Sequence, residues 1–465
     1  MAFAKTKATL TEGPIFSKMI LYVLPIMLTG ILQLLYNMAD HVVVGQFSGD
    51  ETALAAVGST ASLTNLIVNL FMGITAGSGV VVARSFGAKD YDRLSRAVHT
   101  SMLFALLGGV VFSVIGFSVA FPALDLMGTN ADIIDSATLY MRIICLGVPA
   151  TAVYNFGATI LRSVGDSKTP LYILASSGLV NVGLNLLFVI VCHMTVDGVA
   201  LATIISQYVS ASVVVIILCK RSTTVYALDF KKLKIDKRLL IQILRFGIPA
   251  GIQSSLFSIS NVAITTAVNG FDTATVAGKT IAGNIDGILY TSLNSYLHAA
   301  MTFTAQNYGA GKLQRIKKTL GSALIQVLIV GISLAAIILT FGREFGSLFV
   351  DSSAPNKEAV IKAVLDMLKV TVPFYFMCGV METLSGVLRG LGYSMAPMVM
   401  SVGGICGIRI LWILTAFQLE PLHNIGGLYL CYPITWTATA LMLFITLLII
   451  WPKVKSGFAS SEKKA

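Results

Sequence analysis

Charged side chains are scarce in this chain. Asp, Glu, Lys and Arg make up 12% of its 465 residues, and hydrophobic residues make up 55%. A soluble globular protein carries roughly 25% charged residues. About a dozen apolar segments reach the length of about 20 residues that a helix needs to cross a bilayer. The composition excludes an ordinary soluble domain and predicts an all-α polytopic membrane protein with twelve transmembrane helices.

Catalytic and nucleotide-binding motifs are also missing from the sequence. No GxSxG, HExxH or GxxxxGK[ST] pattern occurs, and the loops are too short for a catalytic domain. The six cysteines form no CxxC pair and no Cys/His cluster, which argues against a metal centre and a disulfide framework. We therefore expect no enzyme activity and no cofactor. The energy source is then an ion gradient or the gradient of the substrate itself.

Lys and Arg are nearly absent from every second loop of a twelve-span arrangement. The loops FPALDLMGTNAD, CHMTVDG and NGFD contain almost none, whereas the alternate loops are basic and the central loop holds seven between Lys220 and Arg238. This distribution follows the positive-inside rule and places both termini in the cytoplasm. The net charge of +11 is thereby explained without a nucleic-acid partner.

Three motifs recur about 220 residues apart. Pro249 corresponds to Pro25, AQNYGAG at 305–311 to ARSFGAK at 83–89, and LRGLGYSMAP at 388–397 to LRSVGDSKTP at 161–170. The repeat predicts two six-helix halves that run in the same direction, as in secondary transporters that bind substrate between their halves. The predicted divisions are an N-terminal lobe at 1–219, a cytoplasmic linker at 220–240, a C-terminal lobe at 241–451 and a cytoplasmic tail at 452–465.

Asp40 lies inside the first apolar segment and is the first candidate for a functional residue. An ionised carboxylate in hydrocarbon costs a few kcal/mol or more, so such residues are functional-site candidates by default. Gln33 and Asn37 share its helix face at the spacing i, i+4, i+7. Further polar side chains at helical spacing are Asn65 on span two, Asn181 and Asn185 on span five, and Thr203 and Gln207 on span six.

Amide and hydroxyl oxygens grouped with one carboxylate would coordinate a small cation such as Na⁺, or would hydrogen-bond a protonated Asp. Beyond that Na⁺ we predict no metal. The alternative for the amide and hydroxyl side chains is ordinary hydrogen bonding between helices.

The second half has SNVAIT where the first has Asp40, and it places its charges elsewhere. Lys279 and Asp286 lie two turns apart on one face of span eight, which also holds Asn294. The remaining polar candidates are Gln253 in span seven, Glu382 in span ten and Arg409 in span eleven. These residues form either a polar network of a second site or static ion pairs that lock helices together.

The sequence resembles the multidrug and toxic compound extrusion (MATE) transporters over nearly its whole length. The resemblance rests on PIMLTGILQLLYNMADHVVVG, on the turns SFGAKD and NYGAGK, on the two LRxxG motifs and on GVALATIISQ. It implies two pseudo-symmetric six-helix lobes in a V shape, alternating access, and export of organic cations and other amphipathic drugs in exchange for Na⁺ or H⁺. It also implies a monomer in the inner membrane of a bacterium, in contact with membrane lipid.

The resemblance assigns ion or proton coupling to Asp40, matching the family's first-helix acid, together with Asn181 and Thr203. The family branch often has a second Asp one turn after the Asn, and this chain has Asn185 there. Another branch uses acids in the second lobe, including one on helix seven, but SSLFSISN has none.

Two other functions stay open at this point. A flippase of the wider superfamily would move a lipid-linked precursor and would need a strongly cationic cavity. A channel or a receptor would need no exchange, whereas a duplicated chain with a buried acid favours exchange.

Overall fold

The structure is a computed structural model that describes residues 9–47, 51–221, 224–350 and 356–462. Within these ranges it does not describe the side chains of 41–42, 44–47, 51–57, 61–63, 65–67 and 459–462. The predicted candidate Asn65 therefore lies outside the described residues. Over the described ranges the chain forms helices and turns and no β-strand.

The described residues form fifteen α-helices. Their bounds are α1 Ile15–Phe47, α2 Glu51–Gly87, α3 Tyr91–Leu126, α4 Ala131–Ser163, α5 Lys168–Leu186, α6 Val196–Lys220, α7 Lys237–Val268, α8 Thr273–Gly309, α9 Leu313–Ser347, α10 Lys357–Thr371, α11 Tyr375–Gly390, α12 Met395–Ser401, α13 Ile408–Leu414, α14 Ile425–Tyr429 and α15 Cys431–Glu462. A π-helical segment, Leu187–Val191, extends α5, and a second, Val402–Gly407, joins α12 to α13. A 3₁₀ turn, Val372–Phe374, joins α10 to α11.

Most of these helices are suited to a lipid environment. In the described chain, eleven helical segments are long and apolar enough to cross a membrane. The remaining long helix, α8, has 37 residues and is more polar, since it carries Lys279 and Asp286. On α3 the side chains of Val111, Val114 and Ile115 are 52% to 61% exposed, as expected where lipid is the solvent. The prediction of an all-α polytopic membrane protein is confirmed.

The two halves share their local structure as well as their motifs. Both α2 and α8 have 37 residues and end at the matching glycines Gly87 and Gly309. Two residues later, Lys89 and Gly311 have φ angles of 57° and 72°. This left-handed residue lets the backbone hydrogen-bond the last helical carbonyls, the common way to end a helix. In the second half the position is a glycine, which adopts a positive φ without steric cost.

Contacts divide the chain into two compact units whose borders lie inside α1 and α7. Unit 1 contains Leu28–Gly251, and unit 2 contains Leu10–Met27 and Ile252–Ala465. Each border comes two residues after a proline, Pro25 in α1 and Pro249 in α7. The partition of the sequence at residues 219 and 241 stays a prediction.

Unit 1 is held together by close approach of backbones as well as by apolar side chains. A Cβ atom on Gly73 would lie 2.0 Å from the nitrogen of Gly251, and one on Gly77 would lie 2.1 Å from the carbonyl oxygen of Ile243. Small residues at such crossings allow transmembrane helices to pack by direct van der Waals contact. The first turns of α7 are thereby fixed against α2.

Unit 2 packs α8 against α11 in the same manner. A Cβ atom on Gly386 of α11 would lie 2.4 Å from the carbonyl oxygen of Leu297. Leu289, Leu293 and Phe303 of α8 are completely buried in the core of this unit.

The segment between α6 and α7 is docked on unit 1. The backbone N–H of Asp229 donates to Nε2 of the buried His99, at 3.0 Å, and the N–H of Asp236 donates to the hydroxyl of Thr100, also at 3.0 Å. Arg96 forms an ion pair with Asp236 at 2.9 Å. The described part of the linker is therefore a fixed element of unit 1.

A second ion pair joins the linker to the turn after α4. Arg221 Nη1 lies 2.9 Å from Asp166 Oδ2, and the same oxygen accepts a hydrogen bond from the hydroxyl of Thr169. Burial disfavours the charge of Asp166, but the hydrogen bonds from Thr169 and Arg221 outweigh it and lower the pKa of this carboxyl below its ordinary value.

Candidate functional site

The carboxylate of Asp40 is held by an amide. The Nδ2 group of Asn185 donates to Asp40 Oδ1 at 2.5 Å, and it lies 3.4 Å from the side-chain oxygen of Asn181. Asn185 is completely buried, and Asn181 is 5% exposed. The i, i+4 spacing on α5 places both amides on the face that meets α1. A neutral amide therefore supports a carboxylate that no described Lys or Arg neutralises within ion-pair distance.

A polar cavity of about 130 Å³ opens in front of Asp40. It brings together most of the polar residues predicted from the first half of the sequence, namely Gln33, Asn37, Asp40, Asn181, Thr203 and Gln207. Asn185 contacts the cavity residues Asp40 and Asn181 from behind. The described residues that line the cavity include no Lys and no Arg.

Oxygen atoms face this region without a hydrogen-bond partner of their own. Asn185 Oδ1 and Gln207 Oε1 are both buried and unpartnered. The hydroxyl of Thr203 donates to the carbonyl of Val199 at 2.9 Å, which leaves its oxygen free to act as an acceptor. A carboxylate with amide and hydroxyl oxygens is a hard donor set that fits Na⁺ or a proton.

Tyr36 is a part of the site that the sequence analysis missed. It lines the cavity, and its hydroxyl donates to the carbonyl of Ala175 at 3.2 Å. A Cβ atom on Gly178 would fall 1.9 Å from Tyr36 Cζ, so α1 and α5 approach this closely only because residue 178 is glycine. The sequence position of Tyr36 could have indicated its place in the site, because Tyr36 precedes Asp40 by four residues and therefore lies on the same helix face.

Unit 2 pairs its amides with guanidinium groups. Arg389 Nη2 donates to Gln253 Oε1, and Arg409 Nη1 donates to Asn261 Oδ1, each at 2.8 Å. The guanidinium of Arg409 also lies 4.3 Å from the ring centre of Tyr432. Arg389 is 6% exposed, and the sequence analysis missed it because the LRxxG motif resembles a basic loop.

No described Lys or Arg lies within ion-pair distance of the two acids predicted in the second half, although the guanidinium of Arg389 is near Glu382. One carboxylate oxygen of Asp286 is buried without a hydrogen-bond partner, and Glu382 is 2% exposed. Lys279 donates to the hydroxyl of Thr265 at 2.7 Å, and Asn294 donates to the hydroxyl of Tyr290 at 3.3 Å. The static ion pairs considered for Lys279, Asp286, Glu382 and Arg409 are not formed in the described part of the chain.

The chain is similar to known proteins over almost its full length. It is 29% identical over 455 residues to the probable multidrug resistance protein YoeA of Bacillus subtilis (strain 168), covering 95% of this chain and 96% of that protein. It is 23% identical over 411 residues to the multidrug export protein MepA of Staphylococcus aureus (strain MRSA252), covering 87% and 88%.

A solved structure has the same fold. An outward-facing multidrug resistance MATE family transporter of the MOP superfamily superimposes with a TM-score of 0.89 at 20% identity, covering 97% of this chain and 100% of that one. The model of the MatE family matches residues 25–187 and 249–414, which include most of both halves of the repeat. The chain therefore belongs to the MatE family of membrane transporters.

Proposed function

We propose that this protein is a secondary active antiporter that exports organic cations or amphipathic drugs in exchange for Na⁺ or H⁺. The observation that carries the proposal is the cavity in front of Asp40, in which a half-buried carboxylate is supported by the neutral amide of Asn185. A carboxylate of this kind binds one positive charge, and the coupling ion and a cationic substrate then compete for it.

The residues that take part differ in role. Ionised Asp40 provides the charge, and Asn181 and Thr203 provide neutral oxygens at the cavity wall. Asn185 orients Asp40 by donating a hydrogen bond to Oδ1. Because residue 185 is Asn rather than Asp, the site holds a single acid, and we propose that one positive charge enters it per transport cycle.

Neutralisation of Asp40 is the proposed switch. With Asp40 ionised, the cavity attracts a cation, and after a proton or Na⁺ has bound, the site has no net charge and releases a cationic substrate. Transport is coupled only if the ion binds the two access states with different affinity. We propose that this site is surrounded by neutral polar residues, namely Gln33, Asn37, Asn65 and Gln207.

We propose that the second lobe contains a polar network, which consists of Gln253, Lys279, Asp286, Asn294, Glu382 and Arg409. We propose that the protein acts as a monomer in the inner membrane of a bacterium, with both termini in the cytoplasm and with no cofactor besides the coupling ion. The lobes are proposed at 1–219 and 241–451, the linker at 220–240 and the tail at 452–465.

A lipid-precursor flippase is the weaker alternative, because no described Lys or Arg lines the cavity of unit 1.

The test is transport of a fluorescent organic cation into inside-out proteoliposomes that are energised by a Na⁺ gradient or by an H⁺ gradient. We expect one of the two gradients to drive uptake and Asp40→Asn to abolish that uptake. The matched control is Asp92→Asn, because the Asp92 side chain is 85% exposed at the start of α3. Gradient-driven uptake by Asp40→Asn at the wild-type rate would contradict the proposal.

A further inference from the structure

The segment between α6 and α7 carries an exposed basic surface. Five cationic side chains lie within the eight residues 231–238, and all five are exposed, namely Lys231, Lys232, Lys234, Lys237 and Arg238. Phe230 precedes them in the 3₁₀ turn Phe230–Lys232, and its side chain is 64% exposed. We call Phe230 and the five cations the linker patch.

The two acids of this segment are engaged in its own structure. The backbone N–H of Lys231 donates to Asp229 Oδ1 at 3.0 Å, which begins the 3₁₀ turn. Asp236 accepts hydrogen bonds from backbone N–H groups at the start of α7 and forms the ion pair with Arg96. Among the described residues, the linker patch has one ion pair, in which Lys232 Nζ lies 3.7 Å from Asp229 Oδ2. The linker patch therefore has an excess of positive charge that the described chain does not neutralise.

Contacts with unit 1 hold the backbone of the linker patch in place. The N–H of Asp229 donates to the imidazole of His99, and the N–H of Asp236 donates to the hydroxyl of Thr100. Leu228, two residues before the patch, is buried. The backbone is therefore ordered before any ligand binds, and the entropic cost of ordering a loop does not reduce the affinity.

The linker patch lies where apolar spans end. It is located between two segments that are long and apolar enough to cross a membrane, Val196–Lys220 and Lys237–Val268. The backbone N–H of Leu228 donates to the carbonyl of Leu218 at 3.2 Å, so the linker passes beside the last apolar turn of α6. Phe230 follows two residues later. An exposed apolar ring among lysines is typical of segments that lie in the membrane interface.

We propose that the linker patch binds the headgroups of anionic phospholipids at the membrane interface. Its cations attract the lipid phosphates, and the ring of Phe230 inserts at the level where the acyl chains begin. Clusters of roughly four to eight Lys or Arg next to a span attract anionic lipids in this way. A zwitterionic phospholipid offers Phe230 the same apolar level, but its own ammonium group cancels the attraction to the lysines.

Bound lipid would stabilise the docked linker, because the cations belong to the same short segment as the N–H groups that contact His99 and Thr100. The proposal concerns unit 1 and its linker. It does not depend on the transport proposal, because lipid binding is measured without a substrate or a gradient.

The first test is native mass spectrometry of the purified protein titrated with dioleoyl phosphatidylglycerol or with dioleoyl phosphatidylcholine. We expect the first phosphatidylglycerol to bind more tightly than the first phosphatidylcholine. We expect Lys231→Gln/Lys234→Gln to weaken the binding of phosphatidylglycerol by roughly tenfold or more, since each cation near the surface adds to the attraction of an anionic lipid. Neither lysine takes part in a described ion pair, so the double variant removes charge without breaking one.

The matched control removes the same charge from unit 2. Lys453→Gln/Lys455→Gln changes two exposed lysines of α15 and is expected to leave the preference for phosphatidylglycerol unchanged. Equal losses in the two double variants would show that only net charge matters and would overturn the proposal. A wild-type preference in Lys231→Gln/Lys234→Gln would overturn it as well.

The second test measures the depth of the linker patch. In bilayers whose lipids are brominated in the upper part of the acyl chains, we expect Phe230→Trp to add a quenched fluorescence signal to that of the three native tryptophans. The control is Asp92→Trp. Asp92 is 85% exposed and precedes His99 by seven residues, about 10 Å along α3 on the side away from the span.

We expect the tryptophan of the control variant to remain unquenched. No quenching in Phe230→Trp would place the linker patch in water and would overturn the proposal in favour of a soluble acidic partner. Equal quenching in the two variants would show that the bromine atoms do not report depth at this surface, and it would remove the evidence that Phe230 reaches the acyl chains, which overturns that part of the proposal.

Discussion

The two units use the same kind of side chain to hold opposite charges. In unit 1 the amide of Asn185 donates to the carboxylate of Asp40, whereas in unit 2 the amides of Gln253 and Asn261 accept hydrogen bonds from the guanidinium groups of Arg389 and Arg409. An amide has both a donor and an acceptor group, so it can support either sign of charge. A duplicated scaffold can therefore keep its helices and turns while the polarity of its interior changes.

The comparison also separates two chemical capacities. The carboxylate of Asp40 can become neutral by taking up a proton, but a guanidinium stays charged at any pH at which proteins fold. A buried charge with only neutral partners is costly. The amide-supported charge of unit 1 can therefore be switched by a proton, whereas the two amide-supported cations of unit 2 keep their charge.

Removal of the supporting amide should affect the units differently. We expect Gln253→Leu to lower the free energy of unfolding by about 2–3 kcal/mol, because Arg389 is left charged and without this acceptor. We expect Asn185→Leu to cost about 1 kcal/mol, because Asp40 can take up a proton, while coupled transport is lost. Thermal unfolding in detergent measures both. Equal destabilisation by the two variants would remove the distinction between a switchable and a permanent charge.

The distance between α1 and α5 should decide whether Asn185 reaches Asp40. Gly178→Ala places a methyl group inside the ring of Tyr36, and we expect a loss of about 1–3 kcal/mol from overpacking together with reduced coupled transport. The control is Gly183→Ala on the same helix, where a Cβ atom meets nothing within 4 Å. That change should be neutral or slightly stabilising because alanine favours a helix. Similar losses in both variants would show that α5 is merely sensitive to alanine.

The turn after α4 in unit 1 has an acid that the second half lacks, since Tyr393 stands where unit 1 has Asp166. We expect Asp166→Asn to lower the unfolding free energy by about 1 kcal/mol, as is usual for a partly exposed ion pair. The pKa of Asp166 is lower in the folded protein than its ordinary value. Its stabilising contribution is therefore complete above the ordinary pKa and is lost as the pH falls through the folded-state pKa.

Unfolding curves at a series of acidic pH values measure this contribution. The wild-type protein should have the higher free energy of unfolding near neutral pH, and its difference from Asp166→Asn should disappear as the carboxyl of Asp166 is protonated. A difference between the two proteins that grows toward acidic pH would contradict the assignment.

The smallest expected difference concerns the turns after α2 and α8. Lys89 has a φ of 57° where the second half has Gly311. We expect Lys89→Gly to stabilise the protein by about 0.5 kcal/mol by relieving left-handed strain, and Gly311→Ala to destabilise it by about 1 kcal/mol. Chemical denaturation of the two single variants measures these values. Destabilisation by Lys89→Gly would show that the lysine side chain makes a contact worth more than the strain.

Much of the architecture could be predicted because its causes are local in sequence. Apolar length alone predicts spans. The turn motifs predict the duplication, since in both halves a Gly-Ala pair is followed by a residue with a positive φ, Lys89 and Gly311. Asp40 could be identified for a similar reason. The free-energy cost of an ionised side chain in hydrocarbon depends on whether the segment that carries it is apolar, and this can be read from the neighbouring residues.

The partners of the charges could not be predicted in this way. Asn181 and Asn185 are equivalent by spacing, and only the crossing of α1 and α5 brings the amide of Asn185 to Asp40. Arg389 looked like a basic loop residue until the packing of α11 placed it against Gln253.

The sequence by itself determined the membrane class, the repeat and the acid of the first helix, because hydrophobicity and turn chemistry act over a few neighbouring residues. Only the tertiary structure decided which amide supports Asp40, where the compact units begin, and how the linker docks on His99 and Thr100. Those features depend on distances between residues far apart in the chain, and such distances are set by helix packing.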